Sequence, residues 1–110
     1  IMSNFELVCI YKAELNKQIQ NKINENVEKS INEKGGKIID KEIWGLKDLS
    51  YPINKSKKGF YIFFQIDIDS RELAELNNAL NLEENIIRHM AIKVEKHETL
   101  PTIMAEQKTN

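Results

Sequence analysis

The run GFYIFFQIDI, residues 59–68, constrains the fold more than any other part of the chain, because its side chains alternate with the period of a β-strand. One face of this strand carries Phe60, Ile62, Phe64, Ile66 and Ile68. The opposite face carries Tyr61, Phe63, Gln65 and Asp67. The alternation predicts a strand with one fully apolar side.

Two other segments have the period of a helix. In the first, Asn16 is placed to cap the N-terminus, and Gly35-Gly36 supplies residues that end a helix. Its apolar residues recur every four positions: Leu15, Ile19, Ile23, Val27 and Ile31. In the second, residues 69–80, Asp69 or Ser70 is the predicted cap and three leucines form the buried stripe: Leu73, Leu76 and Leu80.

Three more strands complete the set, at residues 4–11, 37–51 and 85–94. The middle one is expected to bend at Gly45 and to end at Pro52, which cannot donate to a sheet. The order βαββαβ, with right-handed crossovers, predicts an α+β ferredoxin-like fold. Its four-stranded antiparallel sheet has both helices on one face. We expect this domain to span residues 1–97 and residues 98–110 to form a flexible tail.

The composition excludes several classes of protein. With 16 basic and 17 acidic side chains, the chain lacks the broad basic surface of a non-specific nucleic-acid coat. The single cysteine, Cys9, fits a reducing compartment. The longest apolar stretch, Phe60–Phe64, is far shorter than the roughly 20 residues that cross a bilayer. No signal peptide is visible, so we expect a cytoplasmic protein with no membrane partner.

Signals of catalysis are poor. His89 and His97 have no third ligand at metal-binding spacing, and no nucleophile motif or glycine-rich phosphate loop occurs. Acyl-phosphate hydrolases of this fold need an arginine-bearing loop after the first strand, and the loop KAELN, residues 12–16, has none. We therefore expect no enzyme, no cofactor, no metal and no small-molecule substrate.

The sheet face opposite the helices is predicted to be bare, yet it is partly apolar, which is typical of a partner site. The alternative explanation is that the tail or scattered surface aromatics account for it. The residues we assign to a protein partner are Trp44, Tyr61, Phe63, Met90 and Leu100.

Positive charge is concentrated around one turn. Residues 45–61 hold four lysines and one aspartate, whereas residues 66–84 hold six acidic side chains and one arginine. Taken alone, the lysines could belong to an ordinary solvated turn. The alternative is a site for phosphate groups.

The segment Gly45–Asn54, GLKDLSYPIN, resembles the signature of the bacterial small-subunit ribosomal protein six family: a glycine, a basic residue, then Leu-Ser/Ala-Tyr-x-Ile. The resemblance extends over residues 4–97 and takes in further positions: Phe5-Glu6, Gly35-Gly36, Lys55, Gly59, Tyr61, Asn85, Arg88 and Met90. Phe5 stands where the family usually has tyrosine.

The resemblance implies a structural role in the small ribosomal subunit. It implies binding to the central domain of the small-subunit ribosomal RNA as a heterodimer with ribosomal protein eighteen, a small and strongly basic protein. With it, we expect RNA contacts at Lys47, Lys55, Lys57, Lys58, Arg88 and Lys93. The alternatives are a ferredoxin-like regulatory module and a protein-interaction module, neither of which binds RNA.

Overall fold

A computed structural model gives the fold of the chain and describes residues 1–53, 55–102 and 104. Its elements follow in the order β1 (Met2–Lys12), α1 (Lys17–Glu33), β2 (Lys37–Ile53), β3 (Ser56–Asp69), α2 (Ser70–Asn81) and β4 (Ile86–Val94). The strands form one sheet in the order β2-β3-β1-β4, with every neighbouring pair antiparallel. The predicted ferredoxin-like architecture is confirmed.

Local chemistry explains where the helices begin and end. Asn16 caps α1 by accepting a hydrogen bond at Oδ1 from the backbone N–H of Ile19, at 2.9 Å. Gly35, with φ +76°, ends that helix. Asp69 caps α2 in the same way, accepting from the N–H of Arg71 at 2.9 Å. Within the described residues, neither helix is long and apolar enough to cross a membrane.

The core lies between the two helices and one face of the sheet. Alternate residues of β1 and β3 meet the stripes of α1 and α2 there, and the innermost are Leu7, Tyr11, Phe64, Ile66, Ile31 and Leu76. The Tyr11 hydroxyl donates to Oδ1 of Asn24 at 2.6 Å, so the one polar group of that ring is satisfied. Phe60 and Leu73, which we expected in the core, are only half-buried at its margin.

Strand β2 differs most from expectation. It bends at Gly45, which has φ +83° at a register shift, as predicted. It does not end at Pro52, however. Pairing with β3 jumps from Asp48–Lys58 to Ile53–Ser56, so four residues on β2 face the single residue Lys57. Because those four residues have left the ladder, the missing N–H of Pro52 breaks no sheet hydrogen bond.

Candidate binding face

The sheet face opposite the helices carries the alternate set of side chains. Tyr61 and Phe63 lie here on β3, opposite Ile10 and Val8 of β1, and Met90 of β4 lies beyond Val8. Trp44 stacks on Phe63 with ring centroids 5.0 Å apart and planes 11° from parallel. The four sheet residues that we assigned to a protein partner therefore share one face.

The chain itself covers one end of this face. After β4, residues 95–102 cross the strands as a strap that is held by polar contacts. The backbone oxygen of Glu95 accepts from Asn4 of β1 at 3.0 Å, and that of Glu98 accepts from Gln65 of β3 at 2.7 Å. Nε2 of His97 lies 2.8 Å from Oδ1 of Asp67. Each strand that the strap crosses thus supplies a polar partner.

The strap ends on a buried carboxylate of β2. Glu42 is only 8% exposed and accepts from Nε1 of Trp44 at 2.8 Å and from the N–H of Thr102 at 2.8 Å. The Thr102 hydroxyl donates to the same carboxylate. Burial by itself would raise the pKa of Glu42, but these hydrogen bonds outweigh it and lower the pKa below its ordinary value. The ionised carboxylate therefore holds the strap in place.

The strap bears on two of our expectations. Leu100, assigned to a partner, lies within it and is half-buried. The flexibility expected of residues 98–110 stays a prediction about solution behaviour. Residues 103 and 105–110 of that segment lie outside the described residues.

A second segment lies over the other end of the same face. Residues 49–53 form an arm at the end of β2, in which residues 49–52 have left the ladder and Ile53 pairs again with Ser56 of β3. A Cβ at Gly59 would overlap Cγ2 of Ile10 and lie 3.4 Å from Cδ2 of Leu49, so only glycine lets these side chains close over β3. Further along the arm, the hydroxyl of Tyr51 accepts a hydrogen bond from Nη1 of Arg88 at 2.9 Å.

Most of the basic residues that we selected gather near this arm. Lys47 lies opposite Gly59 and is half-buried, whereas Lys57 is exposed. Lys55 is exposed between the paired residues Ile53 and Ser56 and has φ +67°, in the left-handed region. Lys58 pairs with Asp48 at 3.8 Å, on the exposed surface.

Lys93 is separate from this group. It pairs with Phe5, whereas Arg88 pairs with Ile10, so five strand positions, about 17 Å, lie between the two basic residues along β4. Phe5 points into the helix-covered core, which puts Lys93 on that side of the sheet. The six basic residues therefore form two groups.

Comparisons with known proteins agree with this geometry. The sequence profile of the family described as Ribosomal protein S6 matches residues 4–93. The chain belongs to the ribosomal protein S6 family. The small ribosomal subunit protein bS6 of Cereibacter sphaeroides is 33% identical over 107 residues, which cover 97% of this chain and 81% of the relative. That of Maricaulis maris is 36% identical and covers 97% and 92%.

Among solved structures, 30S ribosomal protein S6 of Thermotoga maritima superposes with a TM-score of 0.80 at 26% identity, covering 86% of this chain and 89% of that one. Membership of the S6 family makes the chain a structural protein of the small ribosomal subunit with no enzymatic activity. The family resemblance found in the sequence and the expectation of no catalysis are both confirmed.

Proposed function

We propose that this S6 protein binds small-subunit ribosomal RNA together with ribosomal protein eighteen, within the cytoplasmic ribosome. The observation that carries the proposal is the arrangement of the open face. Exposed lysines lie at its arm end, and exposed or half-buried apolar side chains lie between the arm and the strap.

The arm end suits phosphate groups. Lys55 is exposed in the turn between Ile53 and Ser56, Lys57 is exposed at the start of β3, and Lys47 comes two residues before the arm begins. Their ammonium groups can reach an RNA backbone without disturbing the core, and phosphate contacts supply much of the affinity for RNA. Lys58 is less suited than these three because Asp48 pairs with it. Arg88, which donates a hydrogen bond to Tyr51 of the arm, and Lys93, as a separate contact at the other end of β4, also stay in the proposed RNA-binding set.

Between the arm and the strap, the face suits a protein. Met90 is 53% exposed and Ile92 is 51% exposed on β4, and Tyr61 is half-buried on β3, across β1 from that strand. Trp44 and Phe63, next to the strap, and Leu100 within it complete the proposed partner surface.

The RNA contacts can be tested by changing Lys47, Lys55 and Lys57 together to glutamine. Binding to transcribed small-subunit ribosomal RNA should be measured at several salt concentrations, with ribosomal protein eighteen in excess. Each lost phosphate contact should flatten the plot of log affinity against log salt by somewhat less than one unit.

A matched control changes Lys17, Lys22 and Lys29 on α1 to glutamine, which removes the same charge from the helical layer. The proposal expects a near-parental slope for this variant. Equal slopes for all three proteins would show that the arm-end lysines only keep a turn soluble. Failure of the parent to bind RNA would favour the protein-interaction alternative.

The partner surface can be tested by amide exchange in the free protein and in its complex with ribosomal protein eighteen. We expect the tail after Glu98 and the strands beside Tyr61 to gain protection on binding. Equal protection in both states would remove this face from the interface.

A further inference from the structure

Arg88 and Tyr51 lie on opposite edges of the sheet in strand order, yet they share a hydrogen bond of 2.9 Å. From this contact we infer that Arg88 is a positioning residue for RNA binding, which acts through Tyr51 to fix the arm and the lysines on either side of it. The inference rests on the proposed function and assigns a role within it.

The first step is that the arm needs a restraint. Four residues of the arm, 49–52, face the single residue Lys57, so this part of the arm has left the ladder, and regular pairing with β3 resumes only at Ile53. A cleft of about 280 Å³ lies beside it, lined by both strands of the hairpin, from Asp48 to Pro52 and at Lys57. Because the backbone of residues 49–52 is outside the ladder, side-chain contacts are what can tie this part of the arm to the sheet.

The second step is that few side chains are available to hold it. Leu49 packs above Gly59, beside Ile10, and anchors the start of the arm. The Tyr51 ring is 59% exposed, so burial alone fixes it poorly. The bond from Arg88 therefore supplies a specific side-chain contact in the middle of the arm, across β3 and β1, between Leu49 and the Ile53–Ser56 pair.

The third step links the arm to the lysines. Lys47 lies two residues before the arm, and Lys55 lies two residues after it. A fixed arm presents both ammonium groups in one geometry before RNA arrives, which lowers the entropy lost on binding. Releasing Tyr51 should weaken binding although no phosphate contact is removed.

The test compares Tyr51→Phe, Arg88→Gln and the double variant in the RNA titration described above. A hydrogen bond of this kind predicts a loss of affinity of roughly three- to tenfold for either single change. The double variant should lose no more than one single variant, because both remove the same bond. The salt slopes should equal that of the parent. Arg71→Gln, an exposed arginine at the start of α2, controls for loss of charge.

A different pattern would overturn the inference. If Arg88 contacts phosphate directly, Arg88→Gln should flatten the salt slope and Tyr51→Phe should bind RNA like the parent. Parental affinity for both single variants would show that the arm needs no restraint. Circular dichroism of each variant should match the parent, so that unfolding does not imitate a loss of positioning.

Amide exchange in the free protein separates failure of this inference from failure of the proposed function. Tyr51→Phe should speed exchange at Leu49, Ser50 and Ile53, whether or not RNA binds. A parent that does not bind RNA would end the proposed function and with it the role of Arg88 there. Unchanged exchange together with normal RNA binding by the parent would overturn the positioning role alone.

Discussion

The two faces of the sheet are stabilised by different interactions. The helix-covered face buries a continuous apolar layer that includes Leu7 of β1 and Ile68 of β3. The uncharged thiol of Cys9 and the uncharged phenol of Tyr11 are buried in the same layer. The open face is covered by two short segments, the strap and the arm. Hydrogen bonds hold these, and a buried carboxylate, Glu42, accepts several of them.

This difference decides what each face can do. Burial of apolar area is spread over many contacts and is insensitive to pH near neutrality, so the helix-covered face maintains the fold. The strap and the arm depend on a few polar groups, each of which can be removed alone. The open face is therefore where local rearrangement on binding costs least.

The largest expected effect is on the free energy of unfolding, when one residue from each face is changed to alanine. Ile62→Ala, on the helix-covered face, should lower the free energy of unfolding by about 2–5 kcal/mol, because it leaves a cavity in a packed layer. Val8→Ala, on the half-buried open face, should cost about 1 kcal/mol or less. Denaturant titrations give both values. Equal losses would show that the two faces contribute alike.

High pH should destabilise the fold by ionising groups that are buried on the helix-covered face. Burial raises the pKa of the Cys9 thiol from 9.0 to about 12, and burial, with smaller contributions from Cys9 and nearby glutamates, raises that of Tyr11. The unfolded chain ionises first, so stability present below pH 9 is lost as pH rises. Cys9 alone should account for roughly 2–3 kcal/mol by pH 11.

Cys9→Ala provides the check on this prediction. The variant should be less stable at pH 7 because of the smaller side chain, but its stability should fall less steeply between pH 9 and 11. A parallel fall in parent and variant would exclude the thiol as the source. The steepness that remains above about pH 10 is expected from Tyr11.

Low pH should destabilise the open face by protonating Glu42. The pKa of Glu42 is below its ordinary value of 4.5, so its contribution is present above pH 4.5 and is lost as pH falls through the folded pKa. Glu42→Gln should cost about 1–2 kcal/mol at pH 7 and reduce the acid dependence. Thr102→Val, which removes one donor and keeps the carboxylate, should give part of this loss. An acid profile unchanged in Glu42→Gln would exclude Glu42 as the strap's anchor.

The smallest effect concerns the arm end. Lys55 has φ +67°, a conformation that glycine adopts without strain, so Lys55→Gly should stabilise the fold by about 0.5–1 kcal/mol. The same change should weaken RNA binding and flatten its salt slope by somewhat less than one unit. Higher stability with unchanged RNA binding would remove Lys55 from the proposed interface.

The sequence predicted the helix-covered face well and the open face only in outline. Period-two and period-four patterns and the caps at Asn16 and Asp69 are local signals, so the elements and the core followed from them. The contacts of the strap were missed because they join residues 30 to 91 positions apart, such as Gln65 with Glu98, and no periodicity marks them.

Two other features depend on register, which residue types alone do not specify. We predicted that the strand would end at Pro52 because proline cannot donate a hydrogen bond. Proline is tolerated equally well where a strand has left its ladder. The separation of Lys93 from the arm-end lysines became visible only once β4 was aligned with β1.

The stacking of Trp44 on Phe63 gives the protein an internal reporter. Trp44 is the single tryptophan in the chain, and its indole N–H donates to the carboxylate that also anchors the strap. Release of the strap alters the polarity and hydrogen bonding around this ring, whereas changes in the helical layer leave its neighbours in place. Intrinsic fluorescence therefore follows one end of the open face selectively, without a label, during titration with acid or with a partner.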